Sequence, residues 1–313
     1  MLPTTLVYSS HDRSNYIHND WIVQRALAGN KKILFLPMSE GRPGSEGMDR
    51  QEWSWGNFRW FFSFYEHLGL DAEPFFWRNE MRREDVEYCF DLLGNAEVVI
   101  LGGGNPARGL RRYIALGEQY FGDGDIFPRI LHDRQARGLL TVGFSAGVDQ
   151  LCELMTECID YDTDTGKGFG LARNIMALSH FENGPMEGLL YRGAIKFGHC
   201  LCFALPNDSG VAVNQGTTPG GNMWQYIQFI TDNSWDVPHE QFHIKTRQGV
   251  GIHHYYADGR HWSFNGGDAM LRLQSWDNCY NEAFIIPPGG PVIDYWTQSP
   301  TGYGHIGEII DSH

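Results

Sequence analysis

Short, continuous apolar runs alternate with helical patterns over the first two thirds of the chain. The clearest runs are ILFLP at residues 33–37, VVIL at 98–101 and LLTVGF at 139–144, with a shorter one near 72–77. Strands that are buried on both faces are apolar along their whole length. These runs therefore predict a parallel sheet that is covered by helices on both sides.

Helical patterns fill the intervals between the apolar runs. Residues 53–68 carry aromatic side chains at helical spacing, and residues 83–93 begin with acidic side chains that suit a helix N-terminus. Two more helices are predicted at 106–116, which opens with a proline, and at 127–137. The alternation predicts the α/β class, with three α/β/α layers around a mostly parallel sheet.

The pattern changes after residue 216, where Trp, Tyr, His, Gly and Pro become frequent and strand-like alternation begins. HHYYADGRHWSF, residues 253–264, predicts a hairpin that turns at Asp258 and Gly259. We therefore divide the chain into an α/β domain at residues 1–216 and a β-rich C-terminal extension at 217–313.

Composition narrows the function classes. The chain has 313 residues, 42% of them hydrophobic, and a formal net charge of -14, without a basic run of five or more residues. A nucleic-acid-binding or membrane-surface protein would show such a basic patch, so neither partner is expected. The apolar runs are too short to span a bilayer, the N-terminus lacks a signal-peptide pattern, and the six cysteines are scattered. A cytoplasmic protein with reduced thiols is expected.

The sequence GFSAG carries the first candidate chemistry. Ser145 lies between Gly143 and Gly147, after an apolar strand and before a helical pattern. In this arrangement a serine on a tight turn exposes its hydroxyl at the carboxyl end of a sheet, and the next N–H, that of Ala146, can donate to an oxyanion. Ser145 is therefore a candidate nucleophile, and an ordinary strand-to-helix turn is the alternative.

Two further stretches fit this interpretation. LGGGN follows another buried strand, and the amides of Gly103 and Gly104 could complete an oxyanion hole, although a tight turn alone would also explain these glycines. His180 follows an apolar, strand-like stretch 35 residues after Ser145 and is a candidate general base.

Taken together, these stretches resemble the peptidase E and cyanophycinase family of serine peptidases. The order ILFLPMS, HLGL, EVVILGGGNPARGL, GLLTVGFSAGV, GFGLARNIMALSHF and ALPNDSGVAV follows that family over roughly residues 30–216. The resemblance implies a three-layer fold related to class I glutamine amidotransferases. It also implies Ser145 as nucleophile, His180 as base, and an oxyanion hole from Gly103, Gly104 and Ala146.

The chain departs from the family at the residue that supports the histidine. Peptidase E has a glutamate after Leu-Pro, whereas this chain has Asn207 followed by Asp208. Three supports are open: Asp208 after a small shift, Asn207 as in Cys-His-Asn enzymes, or Asp160, at another position proposed for the family's acid. Asp208 is the preferred candidate.

The resemblance also implies the substrate, which in the family is an acidic or β-aspartyl dipeptide or a cyanophycin-like polymer. Asn105, Arg108 and Arg173 are the candidate substrate-binding residues, and Lys167 and Arg192 are further cations that could serve. Neither a cofactor nor a metal is expected. A small peptide is the expected partner, and a homodimer is possible.

Three rival interpretations stay open. An α/β-hydrolase esterase would share the serine turn but take its base from far downstream, at His253 or His261. A non-catalytic homologue would keep the fold and act by binding or as a structural protein, and Asn207 keeps that alternative open. A metal enzyme could use His253 or His254 with His261.

Overall fold

The structure is a computed structural model that describes residues 2–10, 15–41, 50–160, 166–182, 184, 186–231 and 251–313. Within these residues, eleven strands form one large sheet and four strands form a smaller one. The large sheet consists, in spatial order, of β15 (Ser299–Pro300), β14 (Ile293–Asp294), β13 (Asn281–Ile286), β12 (Ala269–Gln274), β9 (Met223–Thr231), β8 (Ser209–Thr217), β1 (Thr5–Tyr8), β5 (Leu140–Phe144), β4 (Val98–Leu101), β2 (Lys32–Leu36) and β3 (Asp71–Pro74). The small sheet consists of β11 (His261–Phe264), β10 (Ile252–Tyr255), β7 (Leu201–Ala204) and β6 (Ile175–Leu178).

The helices lie between these strands along the chain, except the last, which follows β15. They are α1 (Asn15–Ile17), which continues as a π-helical turn (His18–Val23) into α2 (Gln24–Ala28), then α3 (Arg50–Ser63), a 3₁₀ turn (Glu66–Leu68), α4 (Arg83–Asn95), α5 (Pro106–Phe121), α6 (Ile126–Ala136), α7 (Ala146–Leu151), a second 3₁₀ turn (Thr156–Ile159), α8 (Glu187–Lys196) and α9 (Ile306–Ser312).

The five strands β1, β5, β4, β2 and β3 are parallel and form the centre of a three-layer arrangement. Side chains of β2 alternate between the two faces: Phe35 meets Phe58 of α3 on one face, and Leu36 belongs to the core under α4, α5 and α6 on the other. Because both faces are covered, the inner strand β4 is apolar and buried along its whole length, whereas β3 at the sheet edge carries Asp71 and Glu73. The predicted α/β class and its three layers are confirmed.

The β-rich C-terminal part continues the same sheet instead of standing apart from it. β8 runs antiparallel to β1, and β9, β12, β13, β14 and β15 follow as antiparallel neighbours. The predicted boundary at residues 216 and 217 falls inside β8, and both sheets contain strands from both sides of it. The division into two domains stays a prediction.

The small sheet packs against the antiparallel half of the large sheet. Phe264 of β11 stacks on Phe229 of β9 with ring centroids 3.8 Å apart, and α8 covers the opposite face. The hairpin predicted at 253–264 is present as β10 and β11, closed by a bond from the Tyr256 N–H to the Arg260 carbonyl. This second sheet matters for the site, because β6 and β7 end beside β1 and β5.

One central strand was not predicted. β1, with the sequence TLVY, lies between β5 and β8 in the middle of the large sheet and is fully buried. Four residues near a terminus, the first of them the polar Thr5, give too little pattern to separate a strand from a loop.

Candidate active site

Two pairs of parallel strands, one from each sheet, end at the same place. Tyr8 of β1 is level with Phe144 of β5, so the next residues, Ser9 and Ser145, emerge side by side. In the small sheet the pairing of β6 with β7 continues through a bond from the Phe181 N–H to the Leu205 carbonyl, which brings His180 and Asn207 to one edge.

The turn at Ser145 is forced by its neighbours. Ser145 has φ 50° and ψ −112°, a conformation that non-glycine residues rarely adopt. A Cβ added at Gly143 would lie 2.3 Å from the Gly147 carbonyl oxygen, and one added at Gly147 would lie 2.4 Å from that of Leu101. The glycines of G-x-S-x-G therefore allow β5, α7 and β4 to approach closely enough to hold Ser145 at the sheet edge.

His180 bridges Ser145 and Asn207. Its Nε2 lies 2.9 Å from Ser145 Oγ, and its Nδ1 lies 2.8 Å from Asn207 Oδ1. Because an amide oxygen only accepts hydrogen bonds, we assign the ring proton to Nδ1. Nε2 then carries the lone pair, aimed at the Ser145 hydroxyl, which is the arrangement that a general base needs.

Ser9 connects the two strand pairs and was not identified from the sequence. Its side chain is fully buried, its Oγ accepts the His180 backbone N–H at 2.6 Å, and it donates to Asn207 Oδ1 at 3.4 Å. The Ser9 hydroxyl thus contacts both His180 and Asn207, which follow the strands β6 and β7 of the small sheet. Only the fold brings Ser9 there, since it is 171 residues from His180 in the chain.

This geometry corrects the preference for Asp208 as the residue that supports the histidine. Asp208 has φ 66°, its carboxylate accepts from Ser10 Oγ at 3.5 Å, and its carbonyl accepts from the Tyr16 hydroxyl. The left-handed backbone turns this side chain towards Ser10, while Asn207 occupies Nδ1 of the ring.

Asp160, the other acid considered, forms an ion pair with Arg192, with 2.8 Å between the guanidinium and the carboxylate. Both side chains are half-exposed there, and the ring nitrogen that Asp160 was expected to meet is bonded to Asn207. Of the three supports considered, Asn207 is the one in hydrogen-bond contact with the ring.

The glycine loop after β4 lies against the serine. A Cβ added at Gly103 would lie 3.4 Å from Ser145 Cβ and 2.9 Å from the Phe144 ring. Gly104 has φ 120°, and a Cβ there would lie 2.4 Å from the Ser39 carbonyl oxygen. Gly103 on one side and Ala146, the first residue of α7, on the other thus flank Ser145. The role of Gly103, Gly104 and Ala146 as oxyanion-hole donors stays a prediction.

The predicted substrate-binding residues separate into two groups. Asn105 caps α5, where its Oδ1 accepts the Arg108 N–H at 2.8 Å, so a structural contact already uses this side chain. Arg108 lies one helical turn beyond the glycine loop and lines a cavity of about 550 Å³ together with Arg111, Arg112 and Trp77.

Arg173 and Lys167 lie elsewhere, which corrects their expected place beside Ser145. Both line a cleft of about 880 Å³ that also includes Thr4 and Gly138. Those two residues precede β1 and β5, so the cleft lies at the amino ends of the strands, away from Ser145 at the carboxyl ends. The Arg173 guanidinium stacks over Trp276 at 4.4 Å from the ring centroid.

A buried acid lies directly behind the serine turn and was not predicted. Asp149 is in α7, one turn after Ser145, and its Oδ1 accepts from Thr156 N at 2.8 Å and from Thr156 Oγ1 at 2.9 Å. Burial raises the pKa of Asp149 to about 6, against the opposing effects of the Thr156 hydrogen bonds and of the nearby His180.

The histidines of the rival interpretations lie in the β10–β11 hairpin. The rings of His253 and His261 are 6.2 Å apart, and His261 stacks on Tyr255. The histidine that contacts Ser145 Oγ is His180 and not His253 or His261. In the part of the chain that the structure describes, no group of three or more His, Cys, Asp and Glu converges as a metal-ligand set. No helix among the described residues is long and apolar enough to cross a membrane.

Several solved structures resemble the chain, among them two that are named as peptidases. One is a peptidase from an acI-B1 Actinobacterium, with 15% sequence identity, a TM-score of 0.53, and coverage of 86% of this chain and 96% of that one. The other, from Listeria monocytogenes EGD-e, is provisionally named a peptidase E protein, with 14% identity, a TM-score of 0.46, and coverage of 68% and 94%. No protein-family model matches the chain, and no curated protein matches it. At this identity, the actinobacterial structure establishes that the chain has the fold of a peptidase.

Proposed function

We propose that this chain is a serine peptidase of the peptidase E type that hydrolyses small peptides. The main support is the geometry around His180. Its Nε2 lies 2.9 Å from Ser145 Oγ, and its Nδ1 lies 2.8 Å from Asn207 Oδ1. The strained backbone of Ser145 and the adjacent glycine loop support the proposal, and so does the peptidase fold.

The proposed reaction is acyl transfer in two steps. His180 Nε2 removes the proton of Ser145 Oγ as that oxygen attacks the carbonyl carbon of the scissile peptide bond. The amides at Gly103 and Ala146 receive the negative charge that develops on the carbonyl oxygen. Protonated His180 then gives its proton to the leaving amine, and water releases the acyl group from Ser145 by the same route.

Asn207 would act differently from the usual acid. As a neutral acceptor it holds the Nδ1–H tautomer, so Nε2 stays available as a base. It brings no negative charge to stabilise the imidazolium that forms during attack, which is the second role of the acid in a Ser-His-Asp triad. We therefore propose a slow peptidase, in which buried Asp149 acts on the ring through space.

The substrate we propose carries an acidic side chain. Arg108, Arg111 and Arg112 line one cavity that begins a single helical turn beyond the glycine loop, in a chain whose net charge is -14. Guanidinium groups bind carboxylates in bidentate fashion. Aspartyl and β-aspartyl dipeptides fit this arrangement.

The six cysteine thiols are free, which supports the prediction of a cytoplasmic location.

Labelling with a fluorophosphonate tests the nucleophile, and a dipeptide library tests turnover. We expect an adduct on Ser145 in the native protein, its loss in Ser145→Ala and His180→Ala, and its retention in Ser299→Ala, a control in the exposed β15. Arg108→Ala should raise KM for aspartyl dipeptides more than for neutral ones. Hydrolysis that persists in Ser145→Ala would refute the mechanism.

A second candidate is a peptide-binding protein without turnover, because Asn207 stands where the resembling family has an acid. Calorimetric binding of aspartyl dipeptides that Arg108→Ala weakens, without a fluorophosphonate adduct or hydrolysis on the native protein, would favour this alternative.

A further inference from the structure

Helix α3 is apolar on two opposite sides. Its buried side, with Phe58, Phe61 and Phe62, packs on the large sheet. On the other side, Trp53 is 51% exposed, Trp60 48% and Phe64 43%. Spacings of seven and four residues place these three rings on one face. Exposed apolar stripes of this kind mark interaction surfaces.

Gly56 lies in the middle of this face, between Trp53 and Trp60. A glycine inside a helix costs about 1 kcal/mol relative to alanine. A Cβ added at Gly56 would meet nothing within 4 Å, so packing within the chain does not require glycine there. A gap of this kind between two large rings lets the backbone of another helix approach closely.

Two opposite charges flank the stripe on one side. Glu52 and Arg59 are exposed and each precedes one of the two tryptophans, so they share an edge of the face. When two helices pack antiparallel, the same edge of each helix meets its equivalent on the other. A pairing centred near Gly56 therefore sets Glu52 of each copy against Arg59 of the other, so the contact forms twice about a two-fold axis.

We propose that this face of α3 binds a second copy of the chain, forming an antiparallel homodimer in which Gly56 of each copy faces Gly56 of the other, between the Trp53 and Trp60 rings. Self-complementary charge and a shared gap are what a two-fold interface requires, because each residue must fit its own counterpart. The proposal depends on no assumption about catalysis.

The dimer should be weak and reversible. One face of a 14-residue helix is smaller than the roughly 800 Å² per partner of a standard stable interface, and two chains of charge -14 repel each other. We expect a dissociation constant on the order of micromolar, which sedimentation equilibrium between about 1 and about 100 µM resolves.

Charge reversal is the sharpest test. Glu52→Lys sets two cations together and Arg59→Glu sets two anions together, so each should weaken the dimer about tenfold. The double variant restores both pairs and should restore the affinity. Glu84→Lys, an exposed change of the same charge on α4, is the matched control and should leave the affinity unchanged.

Gly56→Leu and Trp60→Glu should give monomers at all these concentrations. Gly56→Leu enters open space and improves helix propensity, so its circular dichroism and melting temperature should match or exceed those of the wild type. A wild-type monomer at about 100 µM, a dimer that survives Gly56→Leu, or a double charge variant without recovery would each overturn the proposal. So would a monomer that binds phosphatidylcholine–phosphatidylserine vesicles through Trp60, since this would assign the face to a membrane.

Discussion

At the residue scale, the site joins two residues that the sequence indicates with one that only the fold reveals. Ser145 and His180 were identified from local motifs, and their side chains are in contact. The choice between Asn207 and Asp208 depended on one backbone angle, the positive φ of Asp208, which no spacing argument contains. Ser9 had no motif of its own, because its contacts reach across 171 residues.

Substitution of Asn207 measures what the missing carboxylate would contribute. Asn207→Asp should raise kcat at least about tenfold on the best dipeptide, since a carboxylate at Nδ1 stabilises the imidazolium, whereas Asn207→Ala should lower it at least about tenfold. Asp208→Asn, at a carboxylate that faces Ser10, is the matched comparison and should have a much smaller effect. Equal losses in Asn207→Ala and Asp208→Asn would contradict the role of Asn207.

Ser9 is expected to position the base. Ser9→Ala removes the acceptor of the His180 N–H and the second contact of Asn207, so the imidazole should lose its alignment. We expect kcat to fall about tenfold with KM nearly unchanged, because a shift of the base affects the chemical step more than binding. A change in KM alone, or a loss of activity that follows the melting temperature, would indicate a purely structural role.

At the element scale, the pattern of continuous apolar runs was sufficient for much of the parallel layer. VVIL became β4, and the segments predicted as helices at 83–93 and 106–116 became α4 and the longer α5. The same pattern failed for β1, whose four residues begin with the polar Thr5, and could not show that β8 extends the sheet across the predicted boundary. Strand pairing between distant segments depends on the whole fold, so local periodicity does not determine it.

Close packing of elements at the serine turn predicts the effect of enlarging its glycines. Gly143→Ala and Gly147→Ala each place a methyl group 2.3–2.4 Å from a carbonyl oxygen, which can be relieved only if β5, α7 or β4 shifts. Each should lower the free energy of unfolding by about 3 kcal/mol and abolish fluorophosphonate labelling. Gly198→Ala, where a Cβ meets nothing within 4 Å, is the control, and urea unfolding is the measurement. An unchanged unfolding midpoint in Gly147→Ala would show that the turn tolerates a side chain.

At the scale of the whole molecule, two buried ionisable groups give the stability opposite dependences on pH. His254 lies between the sheets near Tyr295, and burial lowers its pKa from 6.5 to about 3. The unfolded chain gains this proton below about pH 6.5 and the folded chain does not, so stability falls as the pH falls towards 3, by up to about 5 kcal/mol. His254→Gln should reduce this acid destabilisation in urea unfolding at pH 7.5 and 4.5. An unchanged difference between the two pH values would show that other groups cause it.

Asp149 makes the stability depend on pH in the opposite direction to His254, and it links that dependence to the site. Its pKa of about 6 in the folded chain exceeds the ordinary 3.8, so the folded state keeps a proton that the unfolded state loses. The stability this provides is complete below about pH 4 and is lost as the pH rises through 6, a difference of about 3 kcal/mol.

Asp149→Asn keeps an amide oxygen for both Thr156 donors without the buried charge. It should therefore be more stable than the wild type at pH 8, by up to about 3 kcal/mol, and equal to it near pH 4. If Asp149 also stabilises protonated His180 through space, the same variant loses activity as it gains stability, and urea unfolding with dipeptide kinetics at pH 8 measures both. A variant that is less stable than the wild type at pH 8 would show that the Thr156 contacts require the carboxylate.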